Sequence, residues 1–375
     1  MTPPPSDVSL GQEAATAPVA IGDLPRAAAT LPATEKLDFR VFWYVVAESE
    51  ELKSSVLGRK VLDERIAVFR DHTGRAVALQ DRCLHRSAPL SKGWVEGGRL
   101  RCCYHGWVYD GSGRVVEVPS LAGDSDAIGE CSARAYAVCE RDGYVYVRLS
   151  DERVGEFEPF AMPYFGVKGW RHVRLVNHFN NNVTNCVENF VDIPHTAYVH
   201  ARIFRSKRNE KLRAHVERKA GSVTVTYGNE TRNLGLFSWF LNGSGHEITH
   251  RDAFHMPNVT CVEYVFDRRR HFIITSQSVP LSECETLVYT DLTYDYGPWN
   301  AIAGYFVKRV AQKIIDQDVE ILAQQMDVIK KHGAHFAQTP ADLIHVFIES
   351  IRREIQMGED PRLLPEQSRD IEFWV

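Results

Sequence analysis

The chain has 375 residues, 44% of them hydrophobic and 10% aromatic, which is enough to bury one large core or two moderate ones, and we expect two domains. Its formal charge is -5, with 44 basic and 49 acidic residues interspersed, which argues against a nucleic-acid partner because the chain lacks a basic stripe. No apolar run is long enough to cross a bilayer and the N-terminus lacks the layout of a secretory signal, so we expect a cytoplasmic protein with no membrane partner.

The composition divides the chain into three parts. Residues 1–35 are rich in Pro, Ala, Thr and Ser, which predicts a disordered leader. Residues 36–155 alternate short apolar runs, such as 144–149, with Gly and Asp turns, which predicts a small all-β domain. A connection rich in Pro and aromatic residues follows at 155–169, and residues 156–375 form the second predicted domain.

The second predicted domain mixes strands and helices. Alternating polar and apolar residues, as at 223–227 and 271–275, predict an antiparallel sheet. Long runs of good helix formers at 301–331 and 340–357 predict helices that flank this sheet, and the first of them should end at Gly333. The pattern therefore favours an α+β fold for the chain as a whole.

The eight cysteines are few and irregularly spaced for a disulfide framework, so we expect most of them to be reduced thiols. Five lie in apolar or strand-like contexts, where a free cysteine acts as a small hydrophobic side chain. These five are Cys131, Cys139, Cys186, Cys261 and Cys284.

The other three cysteines belong to two motifs that each combine a thiolate with an imidazole. The first motif is Cys83-Leu84-His85, and the second, after the sixteen residues 86–101, is Cys102-Cys103-Tyr104-His105. Two such pairs on neighbouring loops can hold a two-iron cluster, with thiolates on one iron and imidazoles on the other. A structural zinc site also accepts two cysteines and two histidines, but zinc fingers usually pair Cys with Cys and His with His. The mixed pairs favour the cluster over zinc and over a chance grouping.

These motifs resemble the Rieske iron-sulfur family, whose pattern is C-x-H, then sixteen or seventeen residues, then C-x-x-H. The flanking residues Arg86, Pro89-Leu90, Gly93, Tyr104 and Gly106-Trp107 also match that family. The resemblance implies a [2Fe-2S] Rieske cluster bound by Cys83, His85, Cys102 and His105. Cys103 departs from the pattern, because this position is commonly proline. Ligation by Cys103 is conceivable, but only Cys102 keeps the two-residue gap to His105.

A second group of candidate ligands lies in segment 185–200, which contains two histidines and two carboxylates. On a straight helix, His195 and His200 would lie about 140° apart and could not meet. Pro194 makes a distorted or ended helix plausible, which would let both imidazoles converge. Hydrogen bonding of the histidines to backbone or to Asp192 is the alternative interpretation.

A third candidate ligand strengthens the metal interpretation. In the predicted helix 301–331, Asp318 interrupts a mostly apolar stripe, and a carboxylate turned toward a core needs a partner such as a metal. The neighbouring Asp316 is expected to face solvent. Two histidines and one carboxylate leave open positions on Fe(II) for O2, and the Rieske-like motifs favour this redox metal over a hydrolytic metal site.

The second group also resembles a family motif, E-N-x-x-D-x-x-H-x-x-x-x-H of the Rieske non-haem iron oxygenases, which residues 188–200 match position by position. The resemblance implies that His195, His200 and Asp318 bind a mononuclear iron and that Asn189 stands close to it. It implies that Asp192 bridges to His105 of another subunit in a homotrimer. The implied fold is an all-β Rieske domain at 36–155 followed by a helix-grip (Bet v1/START-like) catalytic domain at 156–375.

The implied activity is O2-dependent insertion of one oxygen atom into a small organic substrate, by hydroxylation or by oxidative O- or N-demethylation. The alternatives are a ring cis-dihydroxylating dioxygenase and, from another class, a non-catalytic Rieske electron carrier. The chain lacks the dinucleotide fingerprint and the four-cysteine ferredoxin spacing, so a separate NAD(P)H-dependent reductase, with or without a ferredoxin, is expected. Residues 234–241 are candidate pocket walls and 242–245 a candidate lid hinge, with ordinary core and loop as the alternative.

Overall fold

The computed structural model describes residues 37–122, 129–151, 157–201, 211–228, 248–266 and 271–375. The predicted leader 1–35 and the candidate pocket segments 234–241 and 242–245 lie outside the described residues.

The first part of the chain, within the described residues, consists of ten short strands in two antiparallel sheets. The strands are β1 Trp43–Glu48, β2 Leu57–Val61, β3 Glu64–Arg70, β4 Ala76–Gln80, β5 Trp94–Glu96, β6 Arg99–Arg101, β7 Val108–Tyr109, β8 Val115–Glu117, β9 Ala135–Arg141 and β10 Tyr144–Arg148. One sheet has the order β1-β10-β9-β4-β3-β2 and the other the order β5-β6-β7-β8.

Tight turns set the register of these strands. Asp142 and Gly143 join β9 to β10 with φ of 52° and 76°. Positive φ at both positions defines the turn type that matches the natural twist of a two-residue hairpin, and Asp-Gly is a preferred sequence for it. The hairpin aligns Tyr144 with Arg141, which buries the tyrosine.

The second part contains an antiparallel sheet that, within the described residues, has eight strands in the order β11-β17-β16-β15-β14-β13-β12-β18. The strands are β11 Arg171–Phe179, β12 Lys211–Lys219, β13 Ser222–Gly228, β14 Thr249–His255, β15 Val259–Val265, β16 His271–Ser282, β17 Glu285–Asp295 and β18 Gln367–Trp374. The described residues of this part also form the helices α1 Val183–Asn189, α2 Asn300–His332 and α3 Leu343–Met357.

The helices pack on the sheet through their apolar faces. In α2, buried residues such as Ala311 and Ile315 share a core with Phe272 and Leu292 of the sheet. In α3, Phe347 and its buried neighbours belong to a second core together with residues of β13 and β1. A small separate core lies between the sheets of the first part. The helices thus hold the sheet from which the deep cavity described below is built.

A buried polar contact connects the two parts. Asp291 of β17 is fully buried, accepts a hydrogen bond from the Tyr144 hydroxyl, and accepts another from Arg174 Nε at 3.0 Å. The Arg174 guanidinium also lies 3.9 Å from the centre of the Tyr144 ring. Because a buried carboxylate without partners is costly, this contact fixes the first part against the edge of the large sheet.

The predicted α+β class, an all-β first part followed by an antiparallel sheet gripped by helices, is confirmed. The predicted helices at 301–331 and 340–357 correspond to α2 and α3, with a 3-10 turn at Pro340–Asp342 before α3. The boundary near residue 155 stays a prediction. Among the described residues, no helix is both long and apolar enough to cross a membrane.

Candidate metal centres

The first centre is built from two loops of the all-β part. Cys83 follows β4 and Cys102 follows β6, and each loop is closed by backbone hydrogen bonds, Ser87 N to Cys83 O at 2.9 Å and Gly106 N to Cys102 O at 3.1 Å. Gly106 has a φ of +73°, a conformation that side chains rarely adopt, and a Cβ there would lie 3.1 Å from the Pro119 ring. The glycine beside His105 is therefore required by the turn.

The fold brings the four predicted cluster ligands together, with the two thiols buried in the protein and the two imidazoles toward the solvent. Cys83 and Cys102 are 2% and 1% exposed, and their thiols lie close enough to interact. The His85 ring is half-buried and the His105 ring is exposed, with centroids 4.4 Å apart. Stacking on Trp107 orients His85. This donor set, with two thiols on the buried side and two imidazoles on the solvent side, fits a Rieske cluster.

The structure separates the two adjacent cysteines. Cys102 is buried, whereas Cys103 is exposed. Burial raises the pKa of the Cys102 thiol, and the neighbouring Cys83 thiol adds to this shift. The geometry therefore supports Cys102 as the ligand and leaves Cys103 as a surface thiol beside it.

Tyr109 adds a contact that the sequence did not reveal. Its buried hydroxyl lies 3.2 Å from Cys83 Sγ, to which it donates, and it accepts a hydrogen bond from Leu84 N at 2.9 Å. A donor to a ligand sulfur is one of the groups that set the reduction potential of an iron-sulfur cluster. The inward position of Tyr109 on β7 could be read from the sequence, but the meeting of its hydroxyl with a residue 26 positions earlier could not.

The second centre forms where the chain leaves α1. The Asn182 side chain accepts a hydrogen bond from Asn185 N and caps the start of this helix, which ends at Asn189. A 3-10 turn at Pro194–Ala197 follows. The change of direction brings His195 Nε2 to 3.3 Å from His200 Nε2, which a straight helix could not do. The two imidazoles converge because the helix has ended, as one of the two predicted possibilities, although it ends at Asn189 and not at Pro194 itself.

Asp318 of α2 completes this group. Its Oδ1 lies 3.1 Å from His200 Nε2 and 3.6 Å from His195 Nε2. The ligand atoms of the three residues all lie within 4.8 Å of one another, and His200 and Asp318 are 2% and 4% exposed. Two imidazoles and one carboxylate converging on a buried point fit a facial iron site. Asp316 is exposed and bonds Gln312, as expected for a residue on the solvent side.

Acceptors on the far side of each ring hold the two histidines. Gln317 Oε1 forms a hydrogen bond with His200 Nδ1 at 3.0 Å. Asp192 Oδ2 lies 3.4 Å from His195 Nδ1, which is the distance of an ion pair without the geometry of a hydrogen bond. An acceptor at Nδ1 keeps the proton there and presents Nε2 to a metal. Sequence reasoning assigned a role to Asp192 but missed Gln317, whose only signal was its position next to Asp318.

A buried amide connects the segment of the histidines to the helix of the carboxylate. Asn181 Nδ2 donates to Leu322 O at 2.7 Å and to Gln325 Oε1 at 2.9 Å, and Asn181 Oδ1 accepts from Asn185 Nδ2 at 2.8 Å. Leu322 lies one turn after Asp318 on α2. Asn181 therefore sets the spacing of α1 and α2 beside the site.

A cavity of about 120 Å³ adjoins the second centre. It lies between the large sheet and α2 and is mostly apolar. His195, His200 and Asp318 form part of its lining, and so does Asn189, whose Nδ2 is buried and has no hydrogen-bond partner among the described residues. An engineered apolar cavity of roughly 150 Å³ binds benzene, so this cavity offers comparable room to a small apolar group next to the three ligands.

Two family models match the chain in succession. The Rieske [2Fe-2S] domain matches residues 42–134, and the vanillate O-demethylase oxygenase C-terminal domain matches residues 179–345.

The curated relatives agree with these matches over part of their length. The oxygenase component of dicamba O-demethylase from Stenotrophomonas maltophilia is 38% identical over 161 residues, which are 42% of this chain and 46% of the relative. An iron-sulfur subunit of the toluene-4-sulfonate monooxygenase system of Comamonas testosteroni is 32% identical over 205 residues, 53% of this chain and 55% of the relative. The chain thus matches about half the length of these relatives.

Solved structures share the fold over most of the chain. Dicamba monooxygenase bound to dicamba superposes with a TM-score of 0.71 at 23% identity, covering 86% of this chain and 98% of that one. NdmA of Pseudomonas putida CBB5 with caffeine superposes with a TM-score of 0.74 at 21% identity, covering 88% of this chain and 96% of that one. The solved structures show the shared fold. The two matching domains, together with the two ligand groups, give the chain the domain composition of the Rieske non-haem iron oxygenases, a family that carries a [2Fe-2S] cluster and a mononuclear iron.

Proposed function

We propose that the chain is the oxygenase component of an O2-dependent system that inserts one oxygen atom into a small organic substrate, by hydroxylation or by oxidative O- or N-demethylation. The observation that carries this proposal is the position of His195, His200 and Asp318 in the wall of an apolar cavity. A facial set of three ligands leaves positions for O2, and the cavity supplies room for the substrate beside them. Relatives named as a demethylase and as a monooxygenase support the reaction class.

Each group would supply a different part of the chemistry. When bound, the cluster supplies single electrons and the mononuclear iron supplies the site of O2 chemistry. The residues around them position and shield these groups. Asp192 and Gln317 fix the tautomers of the two histidines, and the buried positions of His200 and Asp318 keep bulk water from the ligand atoms.

We further propose a homotrimer in which His105 of one subunit contacts Asp192 of the next. His105 is exposed and Asp192 is only half-buried, so both are accessible to a neighbouring subunit. Asp192 would then touch a cluster ligand with one oxygen while its other oxygen lies 3.4 Å from His195 Nδ1, so that one carboxylate would connect the two centres. Its proposed partners are a separate NAD(P)H-dependent reductase, with or without a ferredoxin, and its proposed location is the cytoplasm.

The test of the proposed function combines metal analysis with oxygen labelling. Anaerobically reconstituted protein should contain about three irons and about two sulfides per chain. About two irons per chain would indicate an electron carrier and contradict the proposal. With a surrogate reductase and a panel of methyl ethers and aromatic compounds, 18O2 should place one labelled atom in the product of oxygen-consuming turnover. Two labelled atoms in a cis-diol would indicate the dioxygenase reaction instead.

A further inference from the structure

A second polar group lies in the cavity wall, away from the metal ligands. His250 and Asp252 lie two residues apart on β14, so both side chains point to the same face of the sheet. That face lines the cavity that holds His195, His200 and Asp318, and each of the two residues is only 1% exposed. Nothing in the proposed binding of iron uses this pair.

Pairing between three adjacent strands holds this group rigid. Tyr227 of β13 lies opposite His250, and Tyr264 of β15 lies opposite it on the other side. The His250 ring is stacked between the two tyrosine rings, with centroids 4.7 Å and 4.2 Å away. Cross-strand neighbours on one face of a sheet commonly form such rows, and this row fixes the orientation of the imidazole.

The Asp252 carboxylate is held from two sides. Its Oδ2 accepts a hydrogen bond from the Tyr227 hydroxyl at 3.1 Å, and its Oδ1 lies 2.8 Å from His250 Nε2. The second contact has the distance of an ion pair but not the geometry of a hydrogen bond, so Oδ1 accepts no hydrogen bond within the described part of the chain. A buried carboxylate oxygen left in this state is costly, and a hydrogen-bond donor in the cavity would satisfy it.

The charges of the lining indicate which ligands this oxygen would accept. Among the described lining residues there is no Lys or Arg, and the His250 ring, which can carry a positive charge, already lies at ion-pair distance from Asp252. A carboxylate or sulfonate placed here would face the Asp252 charge without a cation of its own. A hydroxyl or N–H group would instead donate to Oδ1 while the rest of the ligand contacted apolar walls.

We propose that Asp252, held by Tyr227 and His250, anchors a hydroxyl or N–H group of an otherwise apolar substrate, and that the site selects against organic anions. This inference rests on the proposed function, because it assigns the substrate class of the same cavity. It makes Asp252 a residue that determines specificity and leaves the iron ligands unchanged.

The experiment compares three probes of similar shape, 4-methylphenol, toluene and 4-methylbenzoate. Equilibrium dialysis in sealed cells measures their binding to the iron-loaded protein under argon without reductase, so turnover plays no part. The wild-type protein should bind 4-methylphenol roughly tenfold more tightly than toluene, the factor expected for a hydrogen bond to a charged acceptor, and 4-methylbenzoate most weakly. Asp252→Asn should remove most of the preference for 4-methylphenol and leave toluene binding unchanged.

Two further variants keep the test informative if Asp252→Asn does not fold. Tyr227→Phe removes the hydrogen bond to Asp252 Oδ2. It should reduce the preference for 4-methylphenol over toluene by roughly threefold, because the carboxylate is then positioned by His250 alone among its two described contacts. Ser276→Ala changes another polar residue of the lining, whose hydroxyl lies 3.3 Å from that of Thr290, and should keep the wild-type preference.

The inference is overturned if Asp252→Asn or Tyr227→Phe keeps the full preference for 4-methylphenol, or if the wild-type protein binds 4-methylbenzoate most tightly. Iron content and oxygen uptake are measured on the same samples. If the wild-type protein contains about three irons per chain and consumes oxygen normally but does not prefer 4-methylphenol over toluene, the role of Asp252 is refuted and the proposed function still stands. Protein without the mononuclear iron would refute the proposed function.

Discussion

Asp192 Oδ2 lies 3.4 Å from His195 Nδ1, on the side of the imidazole ring opposite to the nitrogen that faces His200 and Asp318. The aspartate therefore contacts a candidate metal ligand without belonging to the candidate ligand group itself. Its carboxylate favours a proton at Nδ1 through its charge, and its half-buried position leaves a path toward the surface. The Asp192 side chain can thus position His195 and also contact a neighbouring subunit.

Asp192→Ala should separate metal binding from turnover. The direct ligands stay in place, so the variant should keep about three irons per chain, while turnover with a reductase should fall by roughly 100-fold or more because the proposed path is broken. Iron analysis and stopped-flow oxidation of the reduced cluster check the two halves of this expectation. Asp192→Asn, which keeps an acceptor oxygen, should retain more activity. Normal turnover of Asp192→Ala would contradict a bridging role.

Asp318→Ala should lose the mononuclear iron and keep the cluster. Removing one of three ligands from a buried site leaves two imidazoles that hold Fe(II) weakly, so iron should fall from about three to about two per chain at constant sulfide. Asp316→Ala provides the matched control, because this exposed residue lies two positions away on the same helix. Equal iron contents in the two variants would show that Asp318 is not a ligand.

Tyr109→Phe should lower the reduction potential of the cluster. The hydroxyl donates to Cys83 Sγ and stabilises the more electron-rich, reduced state, so its removal should shift the potential by roughly -50 mV, equivalent to about 1 kcal/mol. A spectroscopic redox titration measures this shift. Tyr136→Phe serves as the control, since the Tyr136 hydroxyl bonds Glu64 instead of a cluster ligand. An unchanged potential in Tyr109→Phe would exclude a tuning role for this hydroxyl.

Glu188 should make stability depend on pH. Burial, followed by the charge of Glu349, raises the pKa of Glu188 from 4.5 to about 8 against the opposing effect of Arg352. Between these values the folded state holds a proton that the unfolded chain has released, so this carboxyl destabilises the fold increasingly as the pH rises from about 4.5 to about 8.

The neutral variant Glu188→Gln should remove this dependence. Its stability relative to the wild-type protein should increase from pH 5 to pH 8, as measured by denaturant unfolding monitored by circular dichroism. Glu320→Gln, which changes an exposed glutamate on α2, should show a constant difference across the same range. A difference between Glu188→Gln and wild type that does not vary with pH would mean that Glu188 is ionised in the folded state.

The sequence predicted features that depend on local patterns. The runs of helix formers predicted α2 to within one residue at each end, because Gly333, with a φ of +81°, stops the helix where the sequence indicates. The spacing of cysteines and histidines predicted four cluster ligands, and the fold brings these four side chains together, while their ligation of a cluster stays a prediction. Pro194 correctly indicated that the helix breaks before the two histidines converge.

Contacts that depend on the register of distant segments could not be predicted. The stacking of His250 between Tyr227 and Tyr264 requires the alignment of three strands, and no local pattern specifies that alignment. The approach of Tyr109 to Cys83 and of Gln317 to His200 likewise follows from the packing of separate elements. The sequence identifies residues able to bind metals, whereas tertiary packing determines their partners.

The buried amide of Asn181 implies an order of events in maturation. It ties the backbone of α2 at Leu322 to Asn185 of α1 through direct hydrogen bonds, so the polypeptide alone can hold the two helices at their final separation. Iron would then bind to a preformed site, instead of ordering flexible ligand segments as it binds. Insertion would cost little rearrangement, and the empty protein would withstand proteases nearly as well as the loaded one.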